Sequence, residues 1–393
     1  MSHQLLVADV LARVEAVRED MVDVRRDLHA HPELGWHEVR TTEILEKRLI
    51  EAGLSPRVLP TGTGLICDIG SGDSCVALRA DIDALPVPDG VDSPWRSTIE
   101  GVAHACGHDV HTASLLGAAL VLAGMARDRQ LDRRVRLIFQ PAEEKMPGGA
   151  LGVIAAGGLD GVRRIFGLHC DPRLQVGQVG LRVGALTAAA DRILVRLTGP
   201  GGHTSRPHLT ADLVYALATL VTELPAALSR RVDPRAGMSL VWGRITSGSA
   251  ANAIPSRGEA EGTLRCLDAS VWRLADELLP SLAAQLVHPY GVEVETEVTH
   301  GVPPVINDAT AIEVLHDAVQ QTLGSSAIAP TDQSLGGEDF AWYLEDVPGA
   351  MARLGVRPPT QDTSGDLHTP AFDPSEEAIS LGTTVLTSVA LLD

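Results

Sequence analysis

The stretch HACGHDVH, residues 104–111, carries a thiol, two imidazoles and a carboxylate within six residues. Thiolate and imidazole groups are common ligands of transition-metal ions. Cys106 and His108 lie two residues apart, so on a loop both can point at one ion, whereas the same spacing in a helix would separate them. The stretch predicts a metal site. The alternative is that residues such as Asp109 only cap the following helix.

Further donor groups follow, the first two of them at the ends of predicted strands. FQPAEE ends in the adjacent carboxylates Glu143 and Glu144, GLHCD carries His169, and HTPAF carries His368. Adjacent carboxylates that point to opposite sides allow one to bind a metal while the other acts as a base on water. Each group alone has an ordinary explanation, a solvated surface for the glutamates and a buried structural role for each histidine.

Two more carboxylates lie upstream in LRADIDALP. Asp81 and Asp83 stand two residues apart at a strand end, which predicts that they share one face of the strand. Carboxylates in this position can hold a ligand histidine in the correct tautomer. A plain helix cap is the alternative.

The cysteines favour neither a disulfide scaffold nor a zinc ribbon, because they are odd in number and form no CxxC pair. Cys67, Cys75 and Cys266 lie in apolar, strand-like runs, where a buried thiol is the ordinary interpretation. Cys106 beside histidines could also be an activated nucleophile. That alternative leaves the downstream glutamates and histidines without a role.

The elements that position these residues alternate between helix and strand up to about residue 180. Apolar periodicity predicts helices near 5–28 and 37–53 and strands near 75–82, 134–140 and 164–169. A helix begins near Asp109, so the Cys–His pair lies on a strand-to-helix loop. This order predicts an α/β fold in which a mixed sheet is layered by helices, with ligands at the carboxyl ends of strands.

Residues 183–298 change to the order β-α-β-β-α-β, which is typical of a ferredoxin-like unit. Helices near 307–323 and 375–391 and a strand at MARLGV follow. We therefore expect a discontinuous catalytic domain, 1–182 and 299–393, interrupted by a lid or dimerisation domain at 183–298.

Composition limits the partners. A formal net charge of −19 over 393 residues would repel phosphate backbones and anionic membranes, which excludes nucleic acid and membrane surfaces and leaves small molecules. The N-terminus does not resemble a signal peptide, and we find no apolar run of about 18 residues. We expect a cytoplasmic protein.

Nine motifs occur in an order that resembles the M20 family of metallopeptidases: RRDLHAHPELGWHE, LRADIDALP, HACGHDVH, FQPAEE, GLHCD, GGHTSRPH, SAANAIP, GGEDF and LHTPAF. The resemblance spans about residues 22–385. It is strongest to the branch of amidohydrolases that act on N-acyl amino acids, hippurate or auxin conjugates. Dipeptidases and carboxypeptidases of the family, and a non-catalytic metal-dependent binding protein, are the alternatives.

The resemblance implies a site with two divalent metal ions. Its ligands would be Cys106, His108, Glu144, His169 and His368, with Cys106 bridging the two ions. Glu143 matches the general base, and Asp83 matches the carboxylate that orients the site, with Asp81 a weaker candidate. His104 and His111 are left with supporting or structural roles.

The resemblance also implies a homodimer. His203 is similar to the histidine that reaches a neighbouring subunit's active site and polarises the substrate carbonyl. Asn252 and Arg265 are candidates to hold the substrate carboxylate. Glu338 in GGEDF is expected near the site, or else as an acidic residue in the first turn of a helix.

The metal and the acyl group stay open. A cysteine stands where many M20 branches use a bridging aspartate, and a thiolate favours a softer ion such as zinc. The branch that this sequence resembles often uses manganese, cobalt or nickel. Ser205 and Arg206 stand where small residues are frequent in this branch, which leaves the N-acyl amino acid that is the expected substrate unspecified.

Overall fold

The computed structural model describes residues 3–72, 74–359 and 365–393. Helices in these ranges are α1 His3–Ala30, α2 Val39–Glu51, α3 His108–Arg127, α4 Ala150–Ala155, α5 Leu213–Ser229, α6 Ala269–Val287, α7 Ala309–Thr322, α8 Ala341–Asp346 and α9 Glu377–Leu392. Strands are β1 Arg57–Val58, β2 Leu65–Ile69, β3 Cys75–Asp81, β4 Arg134–Gln140, β5 Val162–Gln175, β6 Val179–Leu181, β7 Gly184–Ala185, β8 Ala189–Thr198, β9 Gly202–His203, β10 Ser239–Ser247, β11 Ala253–Ile254, β12 Arg257–Cys266, β13 Glu293–Val302, β14 Ile306–Asn307, β15 Ile328–Pro330 and β16 Gly349–Arg357.

The chain separates into two compact units. Unit 1 comprises Met1–Gly184, Ile306–Asp332 and Asp339–Asp393, and unit 2 comprises Ala185–Val305 and Gln333–Glu338. Unit 2 extends beyond the expected bound at residue 298 because β13 continues to Val302. The segment Gln333–Glu338 also belongs to unit 2, whereas the sequence-based division placed it in the catalytic domain.

Unit 1 contains a mixed sheet with the strand order β1-β2-β4-β3-β5-β16-β6-β15. The neighbours β4, β3, β5 and β16 are parallel, while β2 runs antiparallel to β4. All seven residues of β3 are buried, as expected for a parallel strand whose two faces are both covered. The predicted mixed α/β class is confirmed.

Strand β5 differs from its prediction. It was expected to end near His169, but it continues to Gln175 because β16 pairs with it in parallel from Ile165 to Gln175. His169 therefore lies inside a strand. Its backbone is held on both sides of the residue, which fixes the direction of its side chain more firmly than a strand end would.

Helix α3 forms the centre of the unit 1 core. It packs against α1, α9 and β3, and it begins at His108, one residue before the predicted start. By length and hydropathy it is apolar enough to cross a membrane, so the expectation that no such run exists is wrong. Of its most apolar window, 83% is buried inside the fold, which is the position of a core helix.

Unit 2 contains a separate four-stranded sheet with the order β10-β12-β8-β13, in which all neighbouring strands are antiparallel. Helices α5 and α6 pack on this sheet and share a second apolar core with it. Along the chain the elements run strand, helix, strand, strand, helix, strand. A short two-stranded pairing of β9 with β11 lies beside them.

Helix α2 allows a direct test of the unit 1 core. Leu45 is fully buried, whereas Ile50 on the same helix is 56% exposed. Leu45→Ala should lower the free energy of unfolding by about 2–5 kcal/mol, because it removes buried methyl groups and leaves a cavity. Ile50→Ala should change it by about 0.5 kcal/mol or less. Chemical denaturation measures both; equal losses would contradict the packing described here.

Candidate active site

Three parallel strands bring the candidate residues to one edge of the unit 1 sheet. Asp81, the last residue of β3, pairs with Gln140, the last residue of β4. On the other side of β3, Arg79 pairs with Gly167 of β5. Because these strands are parallel, Asp81 and His169, each two residues further along its strand, lie beside each other. The loop after β3, the loop after β4 and the segment before α3 carry the other candidate residues.

A first group of donors consists of Cys106, His108 and His169, all buried, with ligand atoms within 4.8 Å of one another. His169 Nε2 lies 3.6 Å from Cys106 Sγ, and its Nδ1 donates to the Cys170 carbonyl oxygen at 2.8 Å. His108 Nδ1 donates to the Asp83 carbonyl oxygen at 2.9 Å. In both histidines Nδ1 is therefore fixed as a hydrogen-bond donor, which leaves Nε2 as the ring nitrogen that is available to a metal ion.

A second group consists of Cys106, Glu144 and His368, again with ligand atoms within 4.8 Å of one another. Glu144 Oε1 lies 3.2 Å from His368 Nε2. Cys106 belongs to both groups. One sulfur that is close to two separate sets of donors has the geometry that a bridging ligand requires.

Asp81 and Asp83 lie on opposite sides of the His108 ring, rather than together on one face of the strand, because Asp83 follows the end of β3. Asp83 Oδ1 lies 3.2 Å from His108 Nδ1, and its Oδ2 accepts the Glu144 N–H at 3.0 Å. Asp81 Oδ2 lies 3.6 Å from His108 Nε2. Asp83 thus contacts one residue of each donor group.

His111 and Asp109 have structural partners. His111 Nδ1 lies 2.6 Å from Asp81, and its Nε2 accepts the Cys170 N–H at 2.8 Å, so both ring nitrogens are used. Asp109 is fully buried and pairs with Arg25 at 2.7 Å. The N-cap residue of α3 is Gly107, which has no side chain, while Asp109 in the first turn accepts the Val110 N–H at 3.0 Å, so Asp109 combines a contact at the helix start with its buried ion pair.

Arg79 is a site residue that the motif analysis missed. Its buried guanidinium donates to Asp81 at 2.7 Å, to Asp339 at 2.8 Å and to the Gln140 side chain at 2.8 Å. It neutralises Asp81 and ties the end of β3 to the start of α8. A charged residue inside the buried run LRAD was the available signal, since an arginine is rarely buried unless it is paired.

Burial and charge act against each other at the donor atoms. Burial, together with the Glu144 and Glu143 carboxylates, raises the pKa of the Cys106 thiol. Burial alone would lower the pKa of His108, but Asp81 and Asp83 raise it to about 10. Burial lowers the pKa of His104 to about 4. The surplus of carboxylates makes this pocket a favourable place for cations.

The backbone is strained at two of these loops. Ala142, directly before Glu143, has φ 52°, and His368 has φ 62°. Such left-handed conformations cost a residue with a Cβ atom about 1–2 kcal/mol and persist where the surroundings enforce them, often at functional sites. The His368 N–H donates to the Ala105 carbonyl oxygen at 2.8 Å, which ties its loop to the loop of Cys106.

Unit 2 carries the remaining candidates. His203 is exposed, its Nδ1 accepts the Ser205 N–H at 3.1 Å, and its strand pairs with the segment that follows Asn252. Arg265 lies near the other end of β12, eight residues and about 27 Å beyond Arg257. Asn252 and Arg265 are therefore not brought together within one chain.

Glu338 is 3% exposed and lies before α8, which begins at Ala341. The alternative that it occupies the first turn of a helix is wrong, because the chain turns before the helix starts. The structure assigns Glu338 to unit 2 and its neighbour Asp339 to unit 1.

A model of peptidase family M20/M25/M40 matches residues 77–392. The chain belongs to this family. Because a peptidase hydrolyses an amide bond, the predicted enzyme class, a hydrolase that acts on amides, is confirmed. A solved structure from Bacillus subtilis, described as a dinuclear metal-binding peptidase of family M20, is 33% identical with a TM-score of 0.83 and covers 96% of this chain and 99% of that one.

Two curated relatives differ in their names. An N-acetyl-L-cysteine deacetylase of Bacillus subtilis is 37% identical over 93% of this chain and 86% of its own length. A Rhodococcus jostii protein, provisionally named a glutamate–cysteine ligase, is 48% identical over 96% of this chain. The chain spans about half of that protein's length, 47%.

The donor groups fit the two divalent ions of an M20 site. His108 Nε2 is buried and makes no hydrogen bond, and it faces donors that suit a cation. A buried polar atom without a partner costs about 1–3 kcal/mol, and an ion would remove that cost. Thiolate, imidazole and carboxylate together suit zinc and other first-row metals, so the donor set does not select one metal.

Because Cys106 belongs to both groups, its loss should affect both ions. Cys106→Ala should lower bound metal from about two ions per chain toward none, whereas His368→Ala should leave about one. Cys67→Ala, which removes a buried thiol in β2, is the matched control and should keep both ions. Elemental analysis of the purified variants measures this; a Cys106→Ala protein that retains both ions would contradict the shared donor.

Proposed function

We propose that this protein hydrolyses the amide bond of an N-acyl amino acid and releases a carboxylic acid and an amino acid. The observation that carries the proposal is the pair of donor groups that share Cys106, with Glu143 between the strained Ala142 and the donor Glu144. The similarity to an enzyme named for deacetylation of N-acetyl-L-cysteine supports the substrate class.

Cys106, His108 and His169 would hold one divalent ion, and Cys106, Glu144 and His368 the other. Bound there, the ions would supply Lewis acidity that polarises the carbonyl and lowers the pKa of water. Manganese, zinc, cobalt and nickel all match the donors. Asp83 supports both sets, since it keeps the His108 tautomer and holds the Glu144 backbone.

Glu143 acts as the general base. It is 5% exposed and adjacent in sequence to the donor Glu144, and these two carboxylates and His108 lie within 4.8 Å of one another. Its carboxylate takes the proton of the attacking water and passes it to the leaving nitrogen, so no covalent intermediate is needed. His203 is proposed to polarise the substrate carbonyl.

A nucleophilic Cys106 is disfavoured. A nucleophile needs a thiolate that forms readily, yet burial beside carboxylates raises the pKa of this thiol. The downstream donors Glu144 and His368 would also have no role. A cation close to the sulfur would stabilise the thiolate as a ligand instead.

We further propose that unit 2 is a ferredoxin-like lid that also forms the homodimer. Its sheet has two edges. On β13 the exposed residues Glu293, Glu295 and Glu297 would repel their copies across a twofold axis. On β10, Val241 is 63% and Ile245 52% exposed, so this edge offers apolar contacts to a second copy.

A dimer also explains the candidates for substrate binding. Within one chain, Asn252 and Arg265 lie too far apart to hold the same carboxylate. In the proposed dimer, His203 and Asn252 come from one subunit and Arg265 from the other.

Glu143→Gln should keep its bound metal but lose at least about 1,000-fold in kcat on N-acyl amino acids, because the base is gone while the neighbouring donors remain. Glu43→Gln on the exposed side of α2 is the control and should keep full activity. The assay uses acetyl, benzoyl, indoleacetyl and longer acyl groups with each of the four metals. Unchanged turnover of Glu143→Gln would refute the mechanism.

Ile245→Lys should convert the dimer into a monomer, because it places a charge at the proposed apolar edge. Glu295→Lys at the opposite edge should leave the dimer intact. Sedimentation velocity separates the two states. A dimer that persists in Ile245→Lys and dissociates in Glu295→Lys would place the interface at β13 instead.

A further inference from the structure

Two glutamates of the motif HPELGWHE have different partners. Glu33 caps helix α2, since its carboxylate accepts the backbone N–H groups of Arg40 at 3.0 Å and Thr41 at 2.8 Å. Glu38 stands at the start of the same helix but makes no side-chain cap. Its fully buried carboxylate instead accepts the Ala142 N–H at 2.7 Å, 104 residues further along the chain.

Ala142 is the residue that holds the turn before Glu143. Its φ of 52° is left-handed, and its carbonyl oxygen accepts the Gly149 N–H at 3.1 Å. Gly35 approaches it so closely that a Cβ atom there would lie 3.1 Å from the Ala142 Cα. Among these contacts of Ala142, one involves its backbone N–H: the hydrogen bond that this N–H donates to the Glu38 side chain.

The backbone of Glu38 is itself held in place. The Glu38 carbonyl oxygen accepts the Thr42 hydroxyl at 2.6 Å, and that hydroxyl accepts the Gly64 N–H at 2.8 Å. Thr42 is 3% exposed, so these bonds are shielded from water. The Glu38 side chain therefore extends toward Ala142 from a backbone that is fixed at the start of α2.

We propose that Glu38 is a positioning residue that keeps Ala142 left-handed and thereby aims the Glu143 carboxylate. This inference rests on the proposed function, because it assumes that Glu143 is the base. Without the hydrogen bond, Ala142 would relax toward a right-handed or extended backbone, which rotates the residue that follows. A displacement of about 1 Å at a catalytic group can cost about 100-fold in rate.

The test first compares kcat, KM and bound metal in three variants. Glu38→Ala should lower kcat about 10- to 100-fold with little change in KM and full metal content, because only the base is displaced. Glu38→Gln keeps an acceptor oxygen for the Ala142 N–H and should restore kcat to within about threefold. Glu33→Ala removes a cap from the same helix and should lower the melting temperature while kcat stays unchanged.

Ala142→Gly provides the decisive comparison. Glycine adopts a left-handed backbone without the cost that alanine bears, so the turn depends less on its hydrogen bond. The kcat loss caused by Glu38→Ala should therefore be about fivefold smaller in the Ala142→Gly background. If Glu38→Ala does not fold, Glu38→Asp, which withdraws the carboxylate by one methylene, replaces it in the same cycle.

A second readout does not depend on activity. In the metal-free protein, Glu38→Ala should accelerate amide hydrogen exchange in residues 142–145, and Glu33→Ala should not. Equal kcat losses in both backgrounds, or unchanged kcat and exchange in Glu38→Ala, would overturn the positioning role. Loss of the proposed function itself would be seen separately, as a wild-type protein that does not hydrolyse N-acyl amino acids or as an active Glu143→Gln variant.

Discussion

The structure depends on an excess of buried negative charge at the carboxyl ends of β3 and β4. Asp81, Asp83 and Glu143 are nearly inaccessible to water, and the Cys106 thiol lies beside them. Arg79 neutralises Asp81. Because burying an uncompensated charge is costly, such a cluster is stable only if the groups bind protons or cations. Two divalent ions, as in the family to which the chain belongs, would offset that charge.

Rigid support is the second condition for such a site, because donors in a low-dielectric pocket must not rearrange. Both ligand histidines of the first group are held through Nδ1, and Asp83 joins the two groups through His108 and Glu144. The left-handed conformations of Ala142 and His368 show that the loops are held against their own preference. The backbone strain at these two residues lowers the stability of the fold and allows the donor atoms to converge.

The donors could be predicted from their residue types and from the order of their motifs along the chain, and Glu144 also because its motif follows a strand end, where ligands collect at the edge of a parallel sheet. Helix and strand bounds such as those of β3 and β4 follow from apolar periodicity. The length of β5 could not be predicted in this way, because it depends on the pairing of β5 with β16, which is distant in the chain. The partners of Arg79 and Glu38 were equally hidden: Glu38 and Glu33 look alike at a helix start, and only the fold brings Glu38 to Ala142, 104 residues away.

Anomalous X-ray diffraction from crystals grown with manganese, at the metal absorption edge, tests the central claim most directly. Two anomalous peaks are expected on either side of Cys106 Sγ, one near His108 and His169 and the other near Glu144 and His368. A single peak, or a peak centred on Asp81 and His111 without contact to Cys106, would contradict it.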